Sequence, residues 1–594
     1  MKYKIPTDAK KWIQPNKGDT FGNLWASFNM DFDSSLGKVR VAPRAKINTD
    51  ETDDADLGLP LAFVRSSAGT TDQWWALVSA GTTGALFKTA GTDPSAAFTQ
   101  DAIATGDGTP TDIYKVSSDM VDFEGSLIVS TDTDLHKLTS ASWDKSWWDT
   151  TLAQTALTTG LAHPLHVTKK TNYLLVGDGN LIHTIDKNSN VKASRLIFPT
   201  AFEAIWIRST YDGTYIGARN KFGGEGMIFF WDESAENYNR AFSARHPMTF
   251  AGCIHEGVPY TVNGAGQLLK YTGASFDEVA VFPVYDKIFR VLNDANTVDR
   301  NVHRNGMCTI DGRLNILISN ADSGSALTQL ENFPSGIWTY DTDEGLRHRH
   351  SLSLYRSSEI DYGAFNAEFV GALIPTTATE GVFLAGGTIR DSANTAIDAI
   401  WIRDTNDSLM KRGHFITSLF EASAFEDVFQ DLLVRFRRFR NSGDRIIVKY
   451  RVLKNVNFPF SGSGTWVDTD TFTATTSGFA NVAAGDEIMF TQGNGAGTTA
   501  HVSSITFSTP TYTVNLDETI TGATGTAVFL VNNWKKCATI STQSIERQSF
   551  DLDAIGTFLQ LKVEMRSVPG GTAGKGETPE LEEIVVNSAP ENII

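Results

Sequence analysis

The sequence predicts an all-β protein: a seven-bladed β-propeller followed by a β-sandwich with a small inserted β-barrel domain. Three observations point there. A strand–turn–strand unit recurs through the first two thirds of the chain, the residue balance favours strands and tight turns, and the pattern changes character after about residue 418.

The recurring unit is an apolar strand, a loop of Gly, Asn, Asp or Ser, a second strand of alternating character, and a polar turn. It is read in ALVSAGTTGALFKTAGTD from Ala76, LIVSTDTDLHKLTSASW from Leu127, LLVGDGNLIHTIDKNSN from Leu174 and YIGARNKFGGEGMIFFWDESAE from Tyr215. It returns in NGAGQLLKYTGASFDEV from Asn263, in ILISNADSGSALTQLENFPSGIWTYDTDEG from Ile316 and in FLAGGTIRDSANTAIDAIWIRDTNDS from Phe383. Lys88, Lys137, Thr184, Trp231, Tyr271, Tyr340 and Arg403 mark the same point in each copy, at spacings by subtraction of 49, 47, 47, 40, 69 and 63 residues. Four of these steps match one four-stranded blade, roughly 40 to 50 residues in propeller repeats. The two longer steps are read as loop insertions at 319–336 and 386–398. A long sandwich, or two stacked ones, would also give short strands in series; the near-constant period favours the propeller.

Residues 1–58 form an N-terminal lead-in: a basic start, the β stretch GNLWASFNMDFDSSLGKVRVAPR and the acidic linker NTDETDDADLG. Trp25, Phe28 and Met30 are expected on the buried face of a strand that docks on the propeller or closes its ring, since an open blade edge invites aggregation. The propeller is placed at 59–418. A sandwich is placed at 419–456 and 538–594, with the barrel at 457–537 between its halves. In DLLVRFRRFRNSGDRIIVKYRVLKN, Leu432, Val434 and Phe436 alternate with Leu433, Arg435 and Arg437. A turn at 441–444 then leads to Ile446, Val448 and Tyr450, which reads as a hairpin with one apolar and one basic face. Its partners are expected in FDLDAIGTFLQLKVEMRSV and LEEIVVNSA. The intervening segment holds five or six short strands with glycine turns and few basic residues, as a barrel inserted in a sandwich loop would. One continuous sandwich over 419–594 is the alternative.

The chain has 594 residues, 41% apolar and 20% charged, with 36 Phe, 13 Trp and 50 Gly. That is globular and large enough for several filled cores. A net charge of −18 excludes general binding to nucleic-acid phosphates, though not a local basic patch. No window reaches membrane-spanning length, and the start lacks an apolar run of signal-peptide length, so export by the usual route is not expected. Cys253, Cys308 and Cys537 lie far apart and are read as free thiols of a protein made in a reducing cytosol.

The search for chemistry returns little. STYDGTYIG at 209–217 partly matches a sialidase box, but occurs once and reads as an Asp-Gly turn. Asp341, Asp343 and Glu344, and Asp132 with Asp134, could pair for acid/base work or hold calcium; all fall in predicted turns, where Asp caps the backbone. His348 and His350 alternate in RHRHS without a third zinc ligand nearby. No nucleophile elbow, P-loop or dinucleotide fingerprint occurs. The expectation is a non-enzyme with no catalytic residue, metal or cofactor.

One feature stands out in so acidic a chain. Arg435, Arg437, Arg438, Arg440, Arg445, Lys449 and Arg451 fall within seventeen residues. Such a strip either blunts a solvated sheet face against edge pairing or meets an acidic neighbour, another subunit or a nucleic-acid backbone. Arg435, Arg437, Lys449 and Arg451 are expected on one face.

The lead-in WIQPNKGDTFGNLWASFNMDFDSSLGKVRVAPR resembles the opening of virion structural proteins of tailed bacteriophages, in which a Gly-Lys-Val-Arg-Val type run precedes propeller-like repeats. VAAGDEIMFTQGNGAGTTAHVSSI and LKVEMRS followed by TPELEEIVVNS resemble segments of phage tail proteins of this size. The resemblance implies a structural tail component of the virion, a nozzle or a minor tail protein, made in the host bacterial cytoplasm. It further implies a homo-oligomeric ring with six-fold symmetry favoured, contacts with adaptor, fibre or tail-tip proteins, and possible contact with DNA in transit. The rival expectation is a glycan-binding or glycan-cleaving particle protein, with Trp and Tyr on blade loops stacking on sugars.

Overall fold

A computed structural model of the chain describes most of residues 57–590, apart from 102–117, 283–301, 320–335, 353–368, 404–411, 453–459, 567–578 and shorter gaps. Before residue 57 it describes 2–6, 24–28, 30–31, 38–41 and 45–50.

Seven four-stranded antiparallel sheets form the blades. Blade one holds Leu59–Ser66, Gln73–Ala80, Thr83–Lys88 and Thr99–Gln100. Blades two to six open on Met120–Phe123, Leu165–Val167, Phe202–Ser209, Thr249–His255 and Met307–Ile310, each followed by its next three strands in chain order. Blade seven has Phe369–Pro375, Phe383–Arg390 and Ala396–Arg403, and takes its fourth strand, Ala45–Asp50, from the lead-in. The first strand of each blade lies beside the first strand of the next, and Phe369–Pro375 lies beside Leu59–Ser66, so the ring closes. All seven sequence markers sit on third strands.

Alternation explains the packing. Residues two apart on a strand face the same neighbouring blade, so each pair of adjacent blades shares one apolar cluster. Leu61, Trp75, Leu77 and Leu86 meet Met120, Leu127 and Val129 between blades one and two. Phe63, Trp74, Ala76 and Phe87 meet Leu384, Ile400 and Ile402 at the seam between blades one and seven.

Glycines let two wedges seat. The Trp206 ring lies between Gly217 and Gly252, where an added Cβ would come within 2.1 and 2.5 Å of it. At the seam Pro60 sits against Gly371 and Gly386, and a Cβ on Gly371 would lie 1.8 Å from the Pro60 carbonyl oxygen. This explains one departure from expectation. Gly386 and Gly387, read as part of an insertion over 386–398, are strand residues, Gly386 being kept small by Pro60; one flanking strand ends at Arg390 and the next begins at Ala396. The extra length before Arg403 lies between His350 and Phe369 instead.

The lead-in is threaded through both halves of the molecule. Lys2–Pro6 pairs with Leu581–Pro590 and Leu24–Phe28 with Arg412–Thr417, both in the sandwich. Val39 exchanges backbone hydrogen bonds with Leu581 at 3.0 and 2.9 Å, and Met30, Val39 and Val41 are buried in the sandwich core. Nine residues after Val41 the chain has completed the outer strand of blade seven. The stretch holding Trp25 and Phe28 is therefore a sandwich edge strand, and ring closure falls to Ala45–Asp50, part of which was read as linker. Thr49 and Asp50 are buried because the outer strand of this blade is covered; Thr49 Oγ1 accepts a hydrogen bond from the Phe98 N–H of blade one.

The sandwich sets Lys2–Pro6, Leu581–Pro590, Asp427–Phe436 and Arg547–Gly556 against Leu24–Phe28, Arg412–Thr417, Phe558–Arg566, Arg445–Val452 and the end of Thr526–Ile540. Arg412–Thr417, assigned to the propeller by a boundary at 418, belongs here. The barrel closes through Phe460–Trp466, Thr471–Ala474, Thr511–Leu516, Thr499–Ser508, Asp486–Gly493 and Thr526–Ile540. That last strand, 15 residues long, serves the barrel with its first part and the sandwich with its last. Trp466, Phe472, Phe479, Phe490 and Phe529 fill the barrel.

Gly371→Ala places its Cβ on rigid backbone, and overpacking of this kind costs about 1–3 kcal/mol. The expected result is a lower urea midpoint with an unchanged m-value, while Gly91→Ala, whose Cβ meets nothing within 4 Å, leaves the midpoint in place.

Candidate functional site

The basic strip is not one surface. Asp427–Phe436 and Arg445–Val452 do not pair with each other: the first joins Leu581–Pro590 and Arg547–Gly556, the second joins Phe558–Arg566 and Thr526–Ile540. The turn between them carries the chain from one sheet of the sandwich to the other. Leu432, Val434 and Phe436 do face the core with Ile446 and Val448, but from opposite sides. Arg435 and Arg437 thus lie on the outside of one sheet, while Lys449 and Arg451 lie on the outside of the other, beneath the barrel.

Each described member of the strip has an acceptor within the chain. Arg435 pairs with Glu583 at 3.1 Å, Arg437 with Glu580 at 3.3 Å, Arg438 with Glu546 at 3.1 Å and Arg445 with Glu518 at 3.9 Å. Arg451 donates to Gln560 Oε1 at 2.8 Å and stacks 4.2 Å from the Trp534 ring. Arg440 lies outside the described residues. The acceptors lie 73 (Arg445 to Glu518) to 148 (Arg435 to Glu583) residues further along the chain, by subtraction, which is why the strip looked unpaired in sequence.

Lys449 is completely buried and opens an ionic network at the joint between barrel and sandwich. Its ammonium donates to Glu487 of the barrel and, at 2.9 Å, to Glu564 of the sandwich. Lys562 reaches Glu487 at 2.8 Å, and Arg566 bridges Glu564 and Glu518, both at 2.6 Å. Burial alone would raise Glu487, but Lys449 and Lys562 hold it well below the usual carboxylate range. His414 is buried beside the same charges, and burial, reinforced by Lys562, lowers its pKa to about 3. Sequence reasoning missed this joint. The signal was Lys562, Glu564 and Arg566 alternating with Leu561, Val563 and Met565, which reads as a solvated face until the inserted barrel covers it.

A second polar assembly sits on the propeller axis. Asn305, just before the first strand of blade six, donates to Leu61 O at 3.0 Å and to Asp119 Oδ1 at 2.9 Å, and accepts from Arg208 Nη2 at 3.1 Å. These residues belong to blades one, two and four. Blades two and four are not neighbours of blade six, so Asn305 meets them only at the axis. Asp119 also accepts the Met120 and Leu165 N–H groups, which adds blade three.

The other candidates have structural roles. Asp132 accepts the Gly160 N–H, and Asp134 accepts those of Leu135 and Trp148; burial raises Asp134 to about 7. Asp343 and Glu344 lie outside the described residues. His348 and His350 are buried 5.3 Å from the Trp338 ring and 5.2 Å from that of Phe383. STYDGTYIG forms the turn between the first two strands of blade four. No group of three or more His, Cys, Asp or Glu gathers as a metal set among the described residues. Nor does any described helix have the length and apolarity to cross a membrane.

No family model and no curated protein matches the sequence. Among solved structures, a chain from the mitotic checkpoint complex aligns at 12% identity and TM-score 0.35, over 62% of this chain and 96% of that one. BBS1N, from a crystal structure with ARL6DN, aligns at 10% identity and TM-score 0.38, over 62% and 100%. Chaetomium thermophilum Raptor aligns at 10% and 0.34, over 61% and 29%. The seven-bladed ring rests on the sheet topology itself.

Removing one partner from a buried ion pair costs about 3–5 kcal/mol, whereas an exposed pair is worth about 0–1 kcal/mol. Lys449→Met is therefore expected to lower the denaturation midpoint of the C-terminal half strongly, and Arg438→Ala to leave it nearly unchanged, as read by hydrogen exchange of Arg445–Val452 and Phe558–Arg566 in urea.

At the joint of barrel and sandwich acid acts in one direction, opposite to its action on Asp134 in the propeller, whose raised pKa favours the folded state as pH falls below about 7. The folded His414 binds its proton less readily than the unfolded one, so stability is lost as pH falls below the ordinary His value of 6.5, by up to about 1.4 kcal/mol per pH unit. Glu487 adds to the loss below its ordinary value of 4.5, since its folded carboxylate resists protonation. Urea midpoints of the C-terminal half measured from pH 8 to 4 should hold level and then fall below pH 6.5, with a shallower fall in His414→Leu.

Proposed function

We propose that the chain is a structural component of a bacteriophage tail, a nozzle or minor tail protein, that assembles into a ring through many protein–protein contacts. One observation carries the reading. A single backbone path runs from both sheets of the sandwich, through Val39 and Val41, into the outer strand that closes the propeller. Domains joined by an ordinary linker move independently by default. Here a force on one body reaches the other through hydrogen-bonded strands, which suits a particle part that keeps its shape while neighbours bind its several faces. The likeness of this same lead-in to virion structural proteins supports the assignment.

Within this reading the basic strip stabilises the subunit instead of joining subunits, because its described members are paired internally. Ring contacts then fall to other surfaces, six-fold closure repeats each weak contact around the ring, and adaptor, fibre or tail-tip proteins meet its faces. DNA in transit passes through the lumen of the ring, since the polar assembly around Asn305 occupies the axis of each propeller.

Light scattering of the purified chain at low and high salt, with negative-stain images of the same samples, tests this. A ring of uniform copy number that Arg435→Ala and Arg437→Ala leave intact is expected. A monomer at every concentration, together with release of reducing sugar from bacterial polysaccharide, would overturn it in favour of a glycan-active propeller.

A further inference from the structure

The axis of the propeller carries more donors than acceptors. Arg208, half-buried on the first strand of blade four, gives Nη1 to Ile207 O at 2.8 Å and Nη2 to Arg304 O at 3.2 Å and Asn305 Oδ1 at 3.1 Å. None of these acceptors is charged, and no carboxylate among the described residues pairs with this guanidinium. A guanidinium has five N–H donors, so two remain. A half-buried cation left without a counter-charge is costly.

His303 adds a second, independent donor. Its Nδ1 accepts the Asn305 N–H at 3.2 Å, which fixes the ring hydrogen on Nε2. The side chain is 1% exposed, and Nε2 has no partner. A buried N–H without an acceptor loses its full hydration. Burial first, then the charges of Arg304 and Arg208, keep His303 neutral, so both cations lie close enough for the imidazole to sense them. The nearby carboxylate, Asp119, is already taken up by the Met120 and Leu165 N–H groups and the Asn305 amide.

We propose that the propeller axis binds a small oxyanion, a phosphate or a carboxylate, whose oxygens accept from the Arg208 guanidinium and from Nε2–H of His303. A compact anion supplies at once the missing counter-charge and the missing acceptor. A charge-assisted hydrogen bond from a guanidinium suits both ligand types. Lys169, exposed on the turn of blade three, adds positive potential, since its charge and that of Arg208 both act on His166 and Cys253. Binding would tie blades four and six together across the axis. The site does not depend on ring assembly or on the tail assignment.

The test is thermal unfolding of the full chain at constant ionic strength, with chloride replaced stepwise by phosphate, sulfate, acetate or citrate. Ligand that binds only the folded state raises Tm with the logarithm of its concentration. A rise that turns logarithmic above a definite concentration is expected with at least one oxyanion, that concentration shifting up tenfold or more in Arg208→Gln and several-fold in His303→Gln. Arg195→Gln, on the outer strand of blade three, should leave it unchanged. Should Arg208→Gln not fold, Arg208→Lys keeps the charge, removes the directed guanidinium donors and must still weaken the rise. Preference for phosphate and sulfate, or for the carboxylates, identifies the ligand class. No rise beyond that in chloride, or an equal rise in the Arg208 variants, would overturn the site and leave water as the His303 acceptor.

Discussion

Every blade of a propeller depends on its two neighbours for burial, so the ring exists only if its first and last blades meet. In this chain the pairing of Ala45–Asp50 with Ala396–Arg403 completes that contact. It joins residues some 350 positions apart and costs loop-closure entropy, which grows only slowly with loop length. In return it removes the outer edge of blade seven and holds the apolar clusters on either side of that blade in register. The closing strand comes from the N-terminus, so the same segment that seals the ring has already passed through the sandwich core at Val39 and Val41. Closure and domain docking are one event.

Close packing at the seam and the two polar assemblies solve different problems. Between blades, apolar side chains interdigitate and glycines at 217, 252, 371 and 386 admit a Trp or a Pro, giving density without polar cost. At the axis, and at the joint of barrel and sandwich, backbone and charged groups cannot avoid burial. There the chain uses directed bonds, from Asn305 to three other blades and from Lys449 to carboxylates of two domains. A buried ion network adds little stability compared with an apolar joint, but it accepts only one relative placement of its members. The barrel is held in one orientation by that requirement and by the strand it shares with the sandwich.

Much of this was legible beforehand. Alternation and period located the third strand of each blade, because burying one face fixes a two-residue pattern whatever the identities of the residues. The inserted barrel showed through its glycine turns and its scarcity of basic residues. Gly386 was misread because glycine signals a turn as readily as a close approach, and only Pro60, more than 300 residues earlier, distinguishes the two. The basic strip was misread for a related reason: the alternation of Leu432 with Arg435 and of Ile446 with Lys449 is correct strand by strand, but adjacency in sequence does not reveal whether two strands pair in one sheet or face each other across a core.

The sequence by itself determined what is periodic and local: the strands, their inward faces, the number of blades and the change of pattern after the propeller. Local sterics and the drive to bury apolar area act within a few residues, so their trace survives in a single chain read from end to end. The tertiary structure alone decided which strand closes the ring, that Lys449 is buried while Arg435 is not, and that Arg208 and Asn305 meet on the axis. Those outcomes depend on pairings between distant segments, where many partners satisfy the same alternation and only three-dimensional packing selects one.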